Sequence, residues 1–76
     1  MSDKLPRLTG LELVRILERI GFVVRRQKGS HVNLYREQDR RRVTVPVHRG
    51  KIIPIGTFKA ILKDADLSVS TLRELL

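Results

Sequence analysis

The sequence predicts an α+β domain with two layers, in which helices cover one face of a three-stranded antiparallel sheet. The apolar pattern gives the order helix, strand, strand, strand, helix, helix, and short turns separate the strands. Strands joined by short turns pair antiparallel, and the helices then bury one side of the sheet. Since the chain has 76 residues, we expect a single domain over residues 1–76, with a flexible lead-in at residues 1–8.

The first helix is predicted from about Gly10 to Ile20. Thr9 followed three residues later by Glu12 is typical of a capping box at a helix start, and Gly21 provides a C-terminal stop. Between these signals the apolar residues repeat at helical spacing: Leu13, Ile16, Leu17 and Ile20.

Three segments with strand character follow, at residues 22–26, 30–36 and 41–47. Lys28-Gly29 and Gln38-Asp39 mark the two turns between them, because glycine and aspartate favour turn conformations. These segments therefore predict a meander of three antiparallel strands.

The turn at Gln38-Asp39 sets the register of the second and third strands. It opposes apolar residues to apolar residues, which supports the pairing: Leu34 with Val43, and Val32 with Val45. The alternate positions then point away from the helices: His31, Asn33, Tyr35, Arg42, Thr44 and Pro46, with His48 two residues further on the same side.

A three-residue turn at residues 27–29 is expected to set the register of the first strand. It would again match apolar with apolar: Phe22 with Leu34, and Val24 with Val32. The same register would place Arg25 beside His31. We therefore expect an open, cationic sheet face that carries two imidazoles and one aromatic ring.

Residues 48–55 contain Gly50 and Pro54 and are predicted to form a loop. A second, amphipathic helix follows, and its opposite side carries Lys59 and Lys63. Its apolar positions are Phe58, Ile61, Leu62 and Ala65. Ser68 can cap a short last helix, whose apolar positions are Val69, Leu72 and Leu76.

The positive charge of the chain is concentrated in its central segment. Residues 22–51 account for +7 of the net charge of +8. Arginine outnumbers lysine by eleven to five in the chain, and its planar guanidinium suits bidentate contact with phosphate or carboxylate. This pattern favours a binding patch for nucleic acid or an acidic protein over a merely solvated surface. The basic residues of the segment are Arg25, Arg26, Lys28, Arg36, Arg40, Arg41, Arg42, Arg49 and Lys51.

Composition argues against several classes of protein and of site. The chain has no cysteine, which excludes disulfides and thiolate metal sites and fits a reducing compartment. Its apolar runs are too short for a signal peptide or a membrane span. Two histidines with few acids nearby do not readily supply three metal ligands, and paired carboxylates for glycoside hydrolysis are missing. Ser30 and His31, adjacent in a strand, would point to opposite faces, so a serine–histidine relay is not expected.

Lys28-Gly29-Ser30-His31 is the stretch with the clearest chemical potential. It sets an imidazole, a group that can exchange a proton at neutral pH, at the start of a strand in the most basic part of the chain. On RNA, removing the proton of the 2′-OH lets this oxygen attack the adjacent phosphate and form a 2′,3′-cyclic phosphate. The sequence thus predicts metal-free RNA cleavage with His31 as general acid or base. Lys28, Arg25 and the amides near Gly29 would stabilise the charged phosphorane.

Two other interpretations of the same surface stay open. It can be a non-catalytic RNA-binding module, in which Lys59 and Lys63 follow the phosphate backbone, or a domain whose cations contact an acidic protein. Tyr35 could stack a base, although packing at the sheet edge explains it more simply. The residues predicted to contact RNA or phosphate are Arg25, Lys28, Gly29, Arg42, His48, Lys59 and Lys63.

Several motifs of this chain resemble the HicA toxin family, also called YcfA-like. They are Gly21-Phe22, residues 26–31 with their Gly-Ser-His turn, the run from Val43 to His48, and Gly56-Thr57-Phe58 leading into Ile61-Leu62. The Gly-Ser-His turn is the most specific of them, and the similarity reaches from the first helix to Ser68. Residues 51–55 depart from the family pattern, because isoleucines and a proline stand where more polar residues are expected. This departure indicates a patch that contacts an antitoxin or a second copy.

The resemblance implies a double-stranded-RNA-binding-domain-like fold and an mRNA interferase that arrests translation, the toxin of a type II toxin–antitoxin system. It implies neutralisation by a HicB-like antitoxin and assigns the family's catalytic histidine to His31. We therefore expect mRNA and this antitoxin as partners, a cytoplasmic location and no membrane, metal or cofactor. When free, the protein is expected to be a monomer or a weak homodimer.

Overall fold

The computed structural model describes residues 5–76. The strands form one antiparallel sheet in the order β1-β2-β3, which confirms the predicted α+β class with an open three-stranded sheet. The likeness to a double-stranded-RNA-binding domain stays a prediction. Within residues 5–76, no helix is long and apolar enough to cross a membrane. The elements are α1 (Gly10–Arg19), β1 (Val23–Lys28), β2 (His31–Arg36), β3 (Arg41–Pro46), α2 (Ile55–Asp64) and α3 (Val69–Glu74).

Helix α1 begins with the predicted capping box. The Thr9 N–H donates to Oε1 of Glu12 over 2.8 Å, and the Glu12 N–H donates to Oγ1 of Thr9 over 3.2 Å. This exchange satisfies donors at the start of the helix that have no partner within it. The N-terminus of α1 also lies against the end of β3, because a Cβ on Gly10 would overlap the carbonyl oxygen of Pro46.

The core lies between the helices and one face of the sheet. Alternate residues of β2 and β3 are buried, and the residues between them are partly or largely exposed. Because successive strand residues point to opposite faces, the helices cover one face and leave the other open. The largest buried side chains are Phe58, Leu13, Leu17, Leu34, Leu72, Val43 and Val45.

Helix α3 is shorter than the predicted last helix, which included Leu76. Leu72 is buried as expected, but the helix ends at Glu74 and Leu76 is 62% exposed. Leu75 packs against the core instead, because the helix ends before it can carry Leu76 back to the buried side.

Residues 1–8 were expected to form a flexible lead-in, and residues 1–4 lie outside the described part of the chain. Leu8 is buried, and its carbonyl accepts a hydrogen bond of 2.9 Å from the Ile53 N–H. The adjacent Thr9 forms an isolated bridge with Ile52. The packed domain therefore includes Leu8, which ties the start of α1 to the loop before α2.

The predicted register between β2 and β3 is confirmed. Leu34 opposes Val43, and Val32 opposes Val45. A four-residue turn at residues 37–40, which contains the predicted Gln38-Asp39, joins the two strands. The open face therefore carries the alternate residues, as the apolar pairing required.

The predicted register of β1 is wrong. The turn is the two-residue Gly29-Ser30, and a bulge between Val24 and Arg26 leaves Arg25 without a partner on β2. Gly29 makes the tighter turn possible, since its φ is +59° and glycine adopts this conformation at little cost. The two-residue turn alone would oppose Val24 to Tyr35, and the bulge shifts the register by one residue, so Val24 opposes Leu34 and not Val32 as predicted.

Candidate functional site

His31 is the first residue of β2, and its side chain is exposed. It opposes Lys28 on β1 and Pro46 on β3. Because opposed residues share a face of the sheet, the imidazole lies between an ammonium-bearing side chain and a pyrrolidine ring. Within residues 5–76 the imidazole makes no hydrogen bond, so both ring nitrogens remain available to a ligand.

The backbone around His31 is held by the turn before it. Gly29 adopts a positive φ, and a Cβ built on it would have no atom within 4 Å, so this turn is open to an incoming ligand. The Val47 N–H donates to the Ser30 carbonyl over 2.6 Å, which continues the sheet one step beyond Pro46. His31, Lys28 and Gly29 therefore lie together, as the sequence predicted.

Arg25 is not beside His31, which corrects the sequence prediction. The bulge places its guanidinium 4.6 Å from the centre of the Tyr35 ring. Tyr35 lies four residues from His31 along β2, or about 13 Å at the usual rise of a strand. Arg42 opposes Tyr35 and is exposed, so Arg25 and Arg42 belong to the far end of the open face.

A shallow concavity of about 540 Å³ occupies this far end. The polar residues that line it are Arg25, Arg26, Asn33, Tyr35, Arg42 and Thr44, together with parts of Leu34 and Val43. None of the lining residues is acidic. The concavity is therefore a cationic, hydrogen-bonding surface with one aromatic ring.

Sequence reasoning did not identify Arg26 as a site residue. Arg26 opposes Asn33 on the open face. The predicted register, with its three-residue turn, did not place Arg26 on this face. A Gly-Ser pair between strands is a signal for a two-residue hairpin, and counting back from it would have opposed Arg26 to Asn33. The bulge at Arg25 has no comparable signal in the sequence.

Three other predicted residues lie outside the three strands. His48 follows the end of β3 in a tight turn, where its carbonyl accepts a hydrogen bond of 2.9 Å from the Lys51 N–H. Lys59 and Lys63 are exposed on α2, whose apolar side packs against the covered face of the sheet. Both lysines therefore belong to the helical layer rather than to the open face.

Two arginines of the basic segment have structural contacts. Arg36 donates to both carboxylate oxygens of Asp39, over 2.9 and 2.7 Å. Arg41 donates to Oδ2 of Asp39 over 3.1 Å and to the Asp64 carbonyl over 3.2 Å. The hydrogen bonds from Arg36, more than its charge, lower the pKa of Asp39. The charge of these arginines is thus partly compensated inside the fold, which counting charges along the sequence could not show.

Within the described part of the chain, no group of three or more histidine, aspartate or glutamate side chains could hold a metal ion.

A comparison with curated proteins found no match for the chain. A comparison with protein families matched residues 10–67 to the HicA toxin of bacterial toxin–antitoxin systems. The matched range extends from the start of α1 to the residue before the cap of α3, and it includes the whole open face.

Proposed function

Because this chain belongs to the HicA toxin family of bacterial toxin–antitoxin systems, we propose that it cleaves mRNA with His31 as general acid or base. The observation that carries this proposal is the pairing of His31 with Lys28 on an uncovered sheet face. An exposed imidazole next to a cation, at an open glycine turn, can approach a phosphodiester without a deep cleft. The proposed activity is that of a metal-independent endoribonuclease.

The proposed reaction uses a nucleophile that the RNA itself supplies. His31 removes the proton of the ribose 2′-OH, and the 2′-oxygen forms a bond to the adjacent phosphorus. The bond from phosphorus to the 5′-oxygen then breaks, and this oxygen takes a proton from an imidazolium or from water. The products are a 2′,3′-cyclic phosphate and a 5′-hydroxyl. Lys28 and amides near Gly29 stabilise the negative charge of the phosphorane.

The proposed partners are mRNA and a HicB-like antitoxin, and the proposed location is the cytoplasm. The cationic open face gives an acidic antitoxin a surface that it can block against RNA. Ile52 and Ile55 are 41% and 64% exposed. They lie in the apolar segment at residues 51–55, which was predicted from the sequence to contact an antitoxin or a second copy. We propose this segment as part of the antitoxin contact.

The decisive experiment compares cleavage of a single-stranded RNA by the wild type and by His31→Ala in the presence of EDTA. The wild type should release fragments that end in a 2′,3′-cyclic phosphate, and it should leave a DNA strand of the same sequence intact. His31→Ala should be slower by at least about 100-fold, the usual contribution of a positioned acid or base. His48→Ala is the matched control, and its effect should be much smaller.

Equal cleavage by the wild type and His31→Ala would remove the catalytic role of His31. Salt-sensitive binding by both proteins without scission would support the alternative, a non-catalytic RNA-binding module on the same sheet face. Competition by an acidic protein but not by RNA would instead support a protein-interaction domain.

A further inference from the structure

The concavity at the Tyr35 end of the open face has no part in the chemistry proposed for His31. Tyr35 lies about 13 Å from His31 along β2 at the rise of a strand, so one ribose and its phosphate do not reach both. A strand of several nucleotides laid along β2 does reach both. The concavity is therefore placed to contact RNA at a distance from the cleaved bond.

The bulge in β1 creates a flat stacking surface in this concavity. It brings the Arg25 guanidinium over the Tyr35 ring at 4.6 Å from the ring centre, and the Arg25 side chain is exposed. Guanidinium planes and aromatic rings both stack on nucleobases. Because the ring already orients the guanidinium, less side-chain freedom is lost when a base stacks on its outer face.

Two cations flank the stacking surface. Arg26 opposes Asn33, and Arg42 opposes Tyr35. Within residues 5–76, neither arginine forms an ion pair, in contrast to Arg36 and Arg41. Both guanidiniums are therefore available for phosphate oxygens, which they contact with favourable geometry.

A polar pair forms the floor between these cations. The Thr44 hydroxyl donates to Oδ1 of Asn33 over 2.8 Å. This hydrogen bond orients the Asn33 side chain and leaves its NH₂ group to donate to a ligand. The floor thus offers a hydrogen-bond donor beside a stacking surface and two phosphate-binding side chains.

We propose that this concavity is a subsite for one unpaired nucleotide of an RNA strand. The base stacks on the guanidinium of Arg25, and Arg26 and Arg42 hold the flanking phosphates. This subsite rests on the proposed function, because the same strand presents its scissile phosphate to His31. A duplex does not fit, since its bases are already paired and stacked on one another.

The test measures the affinity for a 2′-O-methyl RNA strand of about ten nucleotides, a length within the usual site sizes. This strand cannot be cleaved through its 2′-oxygens, so binding is separated from chemistry. Fluorescence anisotropy compares the wild type with Arg25→Lys, which keeps the charge but loses the plane. Tyr35→Ala removes the support for the guanidinium, and Tyr35→Phe keeps it. Arg15→Ala, an exposed charge on α1, is the control.

Arg25→Lys and Tyr35→Ala should weaken binding by at least about fivefold, the lower end for loss of one stacked base. Tyr35→Phe and Arg15→Ala should stay within about twofold, since they keep the stack. A blunt-ended RNA duplex of the same length should bind less tightly and should not respond to Arg25→Lys. In cleavage assays Arg25→Lys should raise KM and leave kcat unchanged, because the subsite lies away from the reacting atoms.

Wild-type affinity in Arg25→Lys would overturn the subsite, as would an equal loss of affinity for the duplex. Because Arg25 is exposed, Arg25→Lys should fold normally. It therefore tests the subsite even if Tyr35→Ala unfolds the chain. The two proposals fail separately. If the protein binds the strand through Arg25 but does not cleave RNA, the subsite stands and the nuclease proposal is refuted. If the protein cleaves RNA but Arg25→Lys does not change its affinity for the strand, the nuclease proposal stands and the subsite is refuted.

Discussion

The Arg36 guanidinium lies over the Phe22 ring, 4.5 Å from the ring centre. The same guanidinium donates over 3.1 Å to the carbonyl of Ile20 and over 3.1 Å to the carbonyl of Ala65. Ile20 and Ala65 are the C-terminal caps of α1 and α2. One cation therefore satisfies carbonyls at the ends of two helices, where the helix dipole also favours positive charge.

Replacing Arg36 should destabilise the fold more than replacing other arginines. Arg36→Ala leaves two carbonyls without this donor and leaves the Asp39 carboxylate with Arg41 alone, and only 14% of the Arg36 side chain is exposed. We expect the free energy of unfolding to fall by about 2–3 kcal/mol, as measured by urea denaturation. Arg15→Ala is the exposed control and should change it by less than about 0.5 kcal/mol. Equal losses in both variants would contradict a structural role for Arg36.

The stability of the protein should fall on acidification because of Asp39. Hydrogen bonds from Arg36 lower the pKa of this carboxyl in the folded chain, so the folded state binds fewer protons here than the unfolded state. This contribution is complete above the unfolded pKa of about 4 and is lost as the pH falls through the folded pKa. Urea midpoints between about pH 6 and about pH 2 measure it. Asp39→Asn should show a smaller acid-induced loss than the wild type.

Two glycine substitutions in helices should have opposite effects. Alanine normally stabilises a helix relative to glycine, but a Cβ at Gly10 would lie 2.9 Å from the Val47 Cα and would overlap the Pro46 carbonyl oxygen. We expect Gly10→Ala to cost about 1–3 kcal/mol through overpacking. Gly56→Ala, whose Cβ would meet no atom within 4 Å, should be neutral or stabilise by up to about 1 kcal/mol. Thermal unfolding measures both, and a stabilised Gly10→Ala would contradict the close approach.

Only cations on the open face should contribute to the salt dependence of RNA binding. Arg42 is exposed on that face, whereas Lys63 lies on α2 in the helical layer. Arg42→Ala should therefore reduce the slope of log K against log salt by about 0.7, the value for one phosphate contact on a single strand. Lys63→Ala should leave the slope unchanged. An equal reduction by both would mean that the RNA also reaches α2.

The part of the fold that depends on apolar matching could be predicted from the sequence. The pairs between β2 and β3 match apolar residues in one register, so Leu34 and Val32 placed His31 on the open face correctly. The register of β1 could not be obtained in the same way. Val24 opposes Leu34 only because Arg25 forms the bulge. In a strand with several basic residues, nothing in the sequence indicates which arginine forms a bulge.

For the candidate site, the sequence predicted which residues lie together across the turn but not the contacts between residues distant in the chain. Lys28, Gly29 and His31 are neighbours in sequence across one tight turn, so their proximity follows from local geometry. The stack of Arg25 on Tyr35 and the internal role of Arg36 depend on partners distant in the chain. No local pattern separates a strand arginine that binds carbonyls at helix ends, as Arg36 does, from one that faces solvent.

Pro46 and the bulge at Arg25 also determine how the outer strands meet other molecules. The Val47 N–H points toward β2, because it donates to the Ser30 carbonyl. Backbone N–H groups alternate in direction along an edge strand, so the N–H of residue 46 would point outward from β3. Residue 46 is a proline and has no N–H. On the other side, the extruded Arg25 distorts the outer rim of β1. At the end of β3, an additional strand would thus meet a missing donor and the N-terminus of α1, and along β1 it would meet a bent, charged backbone. A small sheet with one bare face is thereby protected against edge-to-edge aggregation.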